Sequence, residues 1–327
     1  MNKKKVLVTG GAGYVGSHTA YALSKAGYHV IIIDNLSHQQ PFAFPWAECI
    51  IGDFSDSLLL TRIFSQNTIE AVFHFAAYIE VGESVKNPQK FYENNVAKTL
   101  QLLNIMFLHN VKTFIFSSSC AVYGNPQYLP LNEDHPKNPV SPYGRTKLMV
   151  EQILEDYATA YHFSFAALRY FNAAGASPEL GLGERHLPES HLIPRLLYAA
   201  HTNTPFKLFG TQYPTKDGSC IRDYIHVKDL ATAHLLAFEY VNKTKESIAL
   251  NIGTGTGYSV KEMIATTQET THTKISIDEQ PARAGDAKIL VADPTKAMFT
   301  LGFKPQYSTI SAIIQTAYEF FIHTNKQ

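Results

Sequence analysis

Tyr143 and Lys147 are the residues whose types and spacing most directly suggest chemistry. The stretch SPYGRTK, residues 141–147, places a phenol one helical turn before an ammonium. Ser141 can cap a helix and Pro142 suits its first position, so the pattern predicts both functional side chains on one helical face. A phenol with a pKa near 10 is a poor base, and lowering that pKa to about 7 requires about 4 kcal/mol. Two neighbouring positive charges could supply this, and the phenolate could then accept a proton from an alcohol.

A serine-rich segment adds a second polar group. The stretch SSSCAVYG, residues 117–124, ends an apolar run that predicts a strand. Ligands of open parallel sheets bind at the carboxyl ends of the strands, so the Ser119 hydroxyl could share the substrate proton. Serines at strand ends often only form turns, and a Tyr-Lys pair alone could simply line an amphipathic helix. The combination is more specific than either part.

A glycine loop precedes both segments. TGGAGYVG, residues 9–16, carries Gly10, Gly13 and Gly16 between a predicted strand and a predicted helix. Such glycines permit a tight turn, close approach of a pyrophosphate and close helix packing, and the helix N-terminus attracts phosphates. Asp34 ends the next strand, where a carboxylate can bind a ribose diol and repel a 2′-phosphate, which favours NAD over NADP. The alternative is a packing turn with Asp34 capping a loop.

Asp53 closes the third predicted strand and has two possible roles. Its carboxylate could accept a hydrogen bond from the adenine amino group of a dinucleotide. It could equally cap the helix that is expected to begin near Ser55. The residues alone leave both roles open.

The elements that must position these groups alternate between strands and helices. Strands are expected at 5–10, 29–34, 48–53, 71–76, 112–119 and 163–172, the last completing the sheet, with helices at 14–26, near 88–109 and from 141. This order predicts an α/β protein with a doubly wound parallel sheet, the Rossmann fold, and a smaller C-terminal α/β lobe. The expected domains are an NAD-binding domain at 1–172, with excursions from the C-terminal half, and a substrate lobe at 173–327. SVKE at 259–262 predicts a capping box.

Composition excludes several other classes of protein. Lysine plus arginine equals aspartate plus glutamate at 28 each among 327 residues, so nothing favours a nucleic-acid partner. No apolar run is long enough to predict a membrane span, and the N-terminal apolar stretch predicts a strand rather than a signal peptide. The three cysteines are far apart, which favours a reduced, cytoplasmic protein and predicts neither disulfides nor a metal site.

Further motifs extend over nearly the whole chain. They include VLVTGGAGYVGSHT, VFHFAA, FIFSSS, SPYG, KLMVEQIL, LRYFN, DGSCIRDYIHVKDLA, NIGTG and RAGD. With these the chain resembles the extended short-chain dehydrogenase/reductase family, and within it the UDP-galactose 4-epimerases. RDYIHV and the segment from SPYG to MVEQIL are far more specific than the glycine loop.

The resemblance implies a role for each matching residue. Tyr143 is implied to be the catalytic base, Lys147 its partner and a cofactor ligand, and Ser119 the hydroxyl that assists at the sugar O4. The implied NAD-site residues are Gly10, Gly13, Tyr14, Val15, Gly16, Asp34, Asn35, Asp53, Phe54, Phe75, Ala76, Asn94, Lys147 and Phe171. The implied UDP-sugar ligands, besides Ser119 and Tyr143, are Asn172, His191, Arg222, Tyr224, Arg283 and Asp286.

The implied reaction interconverts UDP-galactose and UDP-glucose by transient oxidation at C4, with NAD remaining bound, in a homodimer formed through the helices near 88–109 and 142–161. His191 is expected at the uridine phosphate side or, alternatively, is a helix-start residue. Leu290 stands where some relatives have a pocket-closing tyrosine, so N-acetylated UDP-hexoses are alternative substrates.

Three rival functions remain compatible with parts of the pattern. One is a different sugar-nucleotide epimerase. A second is a 4,6-dehydratase, which the absence of a carboxylate directly after Ser119 disfavours. The third is an inert NAD-sensing protein, which could keep the glycine loop but would not need the pair of Tyr143 and Lys147.

Overall fold

The computed structural model describes residues 3–37, 44–186, 189–283 and 287–324. The chain forms two compact units. Unit 1 consists of Met1–Gly124, Pro136–Arg169 and Ala231–Leu250, and unit 2 consists of Asn125–His135, Tyr170–Leu230 and Asn251–Gln327. Of the predicted substrate ligands, Asp286 lies outside the described residues.

Strands and helices alternate through the first half of the chain. The strands are β1 (Lys5–Thr9), β2 (His29–Asp34), β3 (Glu48–Ile51), β4 (Ile69–His74), β5 (Thr113–Ser119), β6 (Ser164–Tyr170), β7 (Asn172–Ala174), β8 (Phe206–Phe209), β9 (Ile221–His226), β10 (Ile248–Ile252), β11 (Gly257–Ser259), β12 (Ile277–Gln280) and β13 (Ile289–Leu290). The α-helices are α1 (Tyr14–Lys25), α2 (Ser57–Gln66), α3 (Val81–Lys86), α4 (Pro88–Tyr92), α5 (Lys98–Leu108), α6 (Pro142–Tyr161), α7 (Leu192–Thr202), α8 (Val227–Thr244), α9 (Val260–Thr271), α10 (Thr295–Leu301) and α11 (Ile310–Thr324).

The large sheet has seven strands in the order β10-β6-β5-β4-β1-β2-β3. The pairs among β1 to β5 are parallel, and the order reverses between β1 and β4. This is the doubly wound arrangement, in which ligands bind at the carboxyl edge beside the reversal. The predicted fold class is therefore confirmed.

Apolar side chains on both faces hold this sheet between its helices. Leu7, Ile31 and Phe114 are fully buried on one face, in a core cluster that includes helix side chains, and Val8 and Phe73 are fully buried on the other face. Strands buried on both faces need continuous Val, Ile and Phe runs, which is the pattern that predicted them. In the described part of the chain, every helix is too short or too polar to cross a membrane.

Two features of the sheet differ from the prediction. The strand expected at 163–172 ends at Tyr170, and β7 after it pairs in parallel with β9 instead. The last position of the large sheet is taken by β10, so the expectation that 163–172 completes the sheet is wrong. Aromatic residues continue from Tyr170 into Phe171, so the local pattern does not mark the point at which the backbone pairing partners change.

Unit 2 contains smaller sheets and its own core. β9 pairs with β7, β11 and β13, while β8 pairs with β12. Buried side chains from α7, α9 and α11, such as Leu196, Met263 and Ile314, form one apolar cluster. The predicted capping box is confirmed, because the Ser259 hydroxyl accepts from the Glu262 backbone and the Glu262 carboxylate accepts from the Ser259 backbone.

Candidate active site

The glycine loop joins β1 to α1 and permits contacts that side chains would prevent. Gly10 has φ +68°, and a Cβ there would lie 2.5 Å from the Ala76 nitrogen, two residues after β4. A Cβ on Gly16 would lie 2.2 Å from the Gly10 oxygen. Gly13 is the N-cap of α1, so no side chain covers the start of that helix from the cap position. The loop can thus offer backbone N–H groups to a phosphate.

Asp34 lies at the end of β2 and faces this loop. One carboxylate oxygen accepts from the Ala12 nitrogen at 3.0 Å, and the other accepts from the Leu36 nitrogen at 2.9 Å. The next predicted residue, Asn35, accepts from the Ser37 nitrogen. The acidic group is thereby fixed against the segment expected to bind the pyrophosphate, as ribose recognition requires.

Asp53 interacts with a lysine that was absent from the sequence prediction. Lys98 Nζ lies 2.6 Å from one Asp53 oxygen, and the other oxygen accepts from the backbone and hydroxyl of Ser55. Burial raises the pKa of Asp53, but the bonds from Lys98 and Ser55 outweigh it and hold this pKa below its usual value. The N-cap of α2 is Asp56, so the capping role considered for Asp53 is wrong, while the adenine contact stays a prediction.

The remaining predicted cofactor residues of unit 1 surround the loop or follow it. Tyr14 and Val15 begin α1, Phe54 packs edge-on against His74, and Phe75 and Ala76 follow β4. Asn94 lies in a π-helical turn, Glu93–Ala97, within the helix expected near 88–109. Such turns recur at functional sites.

Asn95, in the same π-helical turn, is a residue that the sequence analysis missed. Its side chain accepts from the Tyr78 nitrogen at 2.9 Å, donates to the Tyr78 oxygen at 3.0 Å and donates to the Thr146 hydroxyl. It therefore links the segment after β4 to α6. Two adjacent asparagines within a predicted helix were the available sequence signal.

The start of α6 lies against the turn that follows β5. Ser141 caps the helix, with its hydroxyl accepting from the Gly144 nitrogen at 3.1 Å, and Pro142 occupies the first position as predicted. A Cβ on Gly144 would lie 2.5 Å from the Ala121 oxygen, so this glycine permits the close approach. Tyr143 is thereby placed beside the end of β5, where Ser119 is largely buried and accepts from the Ala121 nitrogen.

Lys147 is buried beneath Tyr143. Its Nζ donates to the Ser117 oxygen at 2.7 Å and lies 5.8 Å from the centre of the Tyr143 ring. Burial lowers the pKa of Lys147 to about 7, and the charge of Glu151 opposes this shift. The structure therefore brings the three predicted catalytic residues to the end of one strand.

A buried ion pair, absent from the sequence prediction, lies behind this site. Arg169 donates two hydrogen bonds to Glu151, at 2.9 and 2.7 Å, and both side chains are 1% exposed. Ser118, directly before Ser119, donates to Glu151, and Tyr123, four residues after Ser119, accepts from Arg169. Glu151 follows Lys147 by one helical turn, but no local pattern identifies Arg169 as its partner.

The residues around the glycine loop fit a dinucleotide. Gly10 and Gly16 leave no room for a Cβ, the start of α1 suits a phosphate, and the Asp34 carboxylate is fixed beside the loop. Phe171, the one cofactor residue predicted in unit 2, is buried between β6 and β7.

In unit 2, β9 carries most of the predicted substrate ligands. Tyr224 pairs with Asn172 of β7, and Asn172 donates its side-chain amide to the Asp223 oxygen at 2.8 Å. Arg222 pairs with Leu290 of β13. Burial holds the pKa of Tyr224 above its usual value. The pairing thus makes these residues neighbours although they lie far apart in the chain.

Asp223, between two predicted ligands, was missed. It is fully buried and accepts from the Thr254 backbone and hydroxyl and from the backbone nitrogens of Gly255 and Ala292. Burial raises the pKa of Asp223 while these hydrogen bonds oppose the rise. An acidic residue within a β-strand motif was the available signal.

Arg283 and His191 have contacts within unit 2 that the sequence did not predict. The Arg283 guanidinium lies 3.9 Å from the centre of the Phe209 ring. His191 immediately precedes α7, as the helix-start alternative expected, but its side chain does not cap the helix. Its Nδ1 lies 2.7 Å from Glu184 Oε1. Burial lowers the pKa of His191, but its carboxylate partners outweigh this effect and raise it to about 10.

Comparisons with known proteins agree with this geometry. The family model of the NAD dependent epimerase/dehydratase family matches residues 6–253. A UDP-glucose 4-epimerase from Rhizobium leguminosarum bv. trifolii is 46% identical over all 327 residues and is itself fully covered.

Solved structures extend the likeness to the fold. The crystal structure of UDP-glucose 4-epimerase from Brucella ovis in complex with NAD is 46% identical, with a TM-score of 0.94 and 97% and 98% of the two chains covered. That from Bifidobacterium longum in complex with NAD⁺ and UDP is 38% identical, with a TM-score of 0.93 and 98% and 99% covered. The chain therefore belongs to the NAD dependent epimerase/dehydratase family, within the extended short-chain dehydrogenases/reductases.

Proposed function

We propose that the protein is an NAD-dependent UDP-glucose 4-epimerase that interconverts UDP-galactose and UDP-glucose. The observation that carries the proposal is the placement of Tyr143 above the buried Lys147 at the end of β5. The full-length similarity to UDP-glucose 4-epimerases supports it. Bound NAD supplies reversible hydride acceptance, which oxidation of a secondary alcohol requires.

Tyr143 is the residue proposed to move the proton. Its phenolate accepts the proton of the sugar 4-hydroxyl and returns it after the sugar has turned over. The Ser119 hydroxyl bonds to the same oxygen, and Lys147 in its cationic form stabilises the phenolate. Lys147 Nζ lies 5.8 Å from the centre of the Tyr143 ring, close enough for a positive charge on it to favour the phenolate.

The remaining predicted residues are proposed to bind rather than react. Gly10, Gly13 and Asp34 hold the cofactor's pyrophosphate and ribose, and Asp53 with the other predicted residues lines the same site. Asn172, Arg222, Tyr224 and Arg283 of unit 2 hold the UDP part of the substrate, where arginines suit a diphosphate. Gripping UDP leaves the sugar free to present either face.

The test is the substitution Tyr143→Phe, assayed for formation of UDP-glucose from UDP-galactose without added NAD. Turnover should fall by about 10²- to 10⁴-fold, because the proton acceptor is lost, while NAD content and thermal midpoint stay near the parent values. Tyr157→Phe is the matched control, since Tyr157 lies on the same helix and bonds to Asn104 at 2.9 Å. Parent-rate turnover in Tyr143→Phe would overturn the proposal, and binding without turnover in the parent protein would favour an inert sensor.

We also propose a cytoplasmic homodimer formed through α5 and α6. Exposed apolar side chains on these helices support it, namely Leu100, Leu108, Met149 and Tyr161. All three cysteines lie in the described part of the chain and are reduced, which is compatible with a reducing compartment. Light scattering should give twice the chain mass of 36.5 kDa; a monomer would contradict the dimer.

A further inference from the structure

We propose that Glu184, His186, Glu189 and His191 form a binding site for a divalent transition-metal ion, with Zn²⁺ the best match. Each residue offers one ligand atom, and the four atoms all lie within 4.8 Å of one another. The site belongs to unit 2, in the segment that leads into α7. Two imidazoles and two carboxylates are a donor set that four-coordinate Zn²⁺ accepts.

The separations between polar atoms of the cluster bracket those of a tetrahedral ion, with Glu189 facing the two histidines through different carboxylate oxygens. His191 Nδ1 lies 2.7 Å from Glu184 Oε1 and 3.6 Å from Glu189 Oε1. His186 Nδ1 lies 3.4 Å from Glu184 Oε1 and 3.9 Å from Glu189 Oε2. Bonds of about 2.0–2.1 Å in a tetrahedron place neighbouring ligand atoms about 3.3–3.4 Å apart. Small side-chain shifts therefore suffice to coordinate an ion.

The hydrogen bonds of the cluster leave coordination capacity. His186 Nδ1 is buried and makes no hydrogen bond within the described part of the chain, although a carboxylate oxygen lies 3.4 Å away. Glu189 Oε1 is held by the backbone nitrogens of Ser190 and His191, which fix the carboxylate toward the histidines. A buried imidazole nitrogen beside two oriented carboxylates is better satisfied by a cation than by either neighbour alone.

The ion-pair partners of these carboxylates are histidine side chains, and His191 is the charged one. Among the residues that the structure describes, Glu184 and Glu189 each form ion pairs with both His186 and His191. The neighbouring Arg185 lies over the Phe320 ring, 5.0 Å from its centre. Glu184 is also only 11% exposed, so its charge is poorly solvated. A divalent ion shared by the four side chains displaces the proton that His191 shares with Glu184 into solvent, balances the two carboxylates and links the segment before α7 to the helix start.

The experiment uses the full-length protein with NAD bound, cleared of metal by a chelator and then titrated with Zn²⁺ or Co²⁺. One equivalent should bind, Co²⁺ should give the intense visible bands of tetrahedral coordination, and Zn²⁺ should raise the thermal midpoint. Losing a residue that only supports a metal ligand weakens binding by roughly 10- to 100-fold, and His186→Ala should weaken Zn²⁺ binding by more than this. His29→Ala is the control, because His29 forms a comparable exposed pair with Glu48 at 3.2 Å, and it should bind Zn²⁺ like the parent.

Two results would overturn the metal site. One is the absence of stoichiometric binding by the parent protein, which would leave a simple histidine–glutamate ion pair. The other is unchanged affinity in both His186→Ala and Glu189→Gln, which would place the ion elsewhere. The titration of the parent protein with Zn²⁺ tests the site even if a variant fails to fold. Epimerase activity in the absence of Zn²⁺ would leave the proposed function intact.

Discussion

The buried pair between Glu151 and Arg169 permits a quantitative prediction about stability. Replacing Glu151 with Gln leaves Arg169 charged, 1% exposed and without its carboxylate partner. Burial lowers the pKa of Arg169, but the bonds to Glu151 outweigh it and keep the guanidinium charged in the parent. Breaking such a pair from one side costs about 3–5 kcal/mol, because the remaining charge stays buried.

The expected change can be expressed as a thermal midpoint. An unfolding entropy of about 2.1 cal/mol/K per residue means that 1 kcal/mol shifts the midpoint of a chain this long by about 1.5 °C. Glu151→Gln should therefore lower the midpoint by about 4–7 °C at a fixed NAD concentration. Scanning calorimetry of the NAD-bound protein would measure it.

Glu83→Gln is the matched control for this measurement. Glu83 pairs with Lys90 at the same distance, 2.7 Å, but the two side chains are 41% and 30% exposed. Such a pair contributes about 0–1 kcal/mol, so its loss should shift the midpoint by less than about 1.5 °C. Replacing both buried partners, Glu151→Leu with Arg169→Met, should recover much of the loss. Equal shifts for the buried and the exposed variant, or no recovery in the double variant, would refute the reasoning.

Three further predictions concern the loop, the buried lysine and the substrate. Burial lowers the pKa of Lys147 from 10.5 to about 7, so between these pH values the unfolded chain binds more protons than the folded protein. The NAD-depleted parent should therefore gain stability relative to Lys147→Met as the pH rises from about 7 to 10.5. Thermal midpoints of the two proteins that change in parallel with pH would contradict this. Gly16→Ala should lower both NAD content and stability, because its Cβ would lie 2.2 Å from the Gly10 oxygen. The control Gly82→Ala meets no atom within 4 Å and should leave stability unchanged or raise it. Full retention of NAD by Gly16→Ala would show that the loop adapts. UDP-galactose should be turned over faster than UDP-N-acetylgalactosamine in a direct comparison of kcat/KM, and equal or reversed rates would show that the space beside Leu290 was misjudged.

Local patterns predicted the parts of the site that lie within single segments. Ser141 and Pro142 start α6 as expected, because a cap and a proline act on the adjacent turn. Tyr143 and Lys147 then share a side of the helix through its period alone. Gly10 has the positive φ that its turn requires, and Asp34 ends β2 as its apolar run predicted.

The parts that were missed depend on residues far apart in the chain. Asp223 bonds to Thr254 and Ala292, and Arg169 finds Glu151 on another element. β10 adds a seventh strand to the large sheet, which no local pattern in its part of the sequence predicted. Each outcome depends on which elements become neighbours after folding.

The amino-acid sequence by itself determined the fold class, the preference for NAD and the residues expected to react, because helix periods, caps and glycine turns act over a few neighbouring positions. Only the tertiary structure decided what surrounds those residues: the buried pair of Glu151 on α6 with Arg169, the Lys98 partner of Asp53 and the histidine–glutamate cluster before α7. The physical reason is that burial and charge pairing depend on distances in space, which local sequence patterns do not contain.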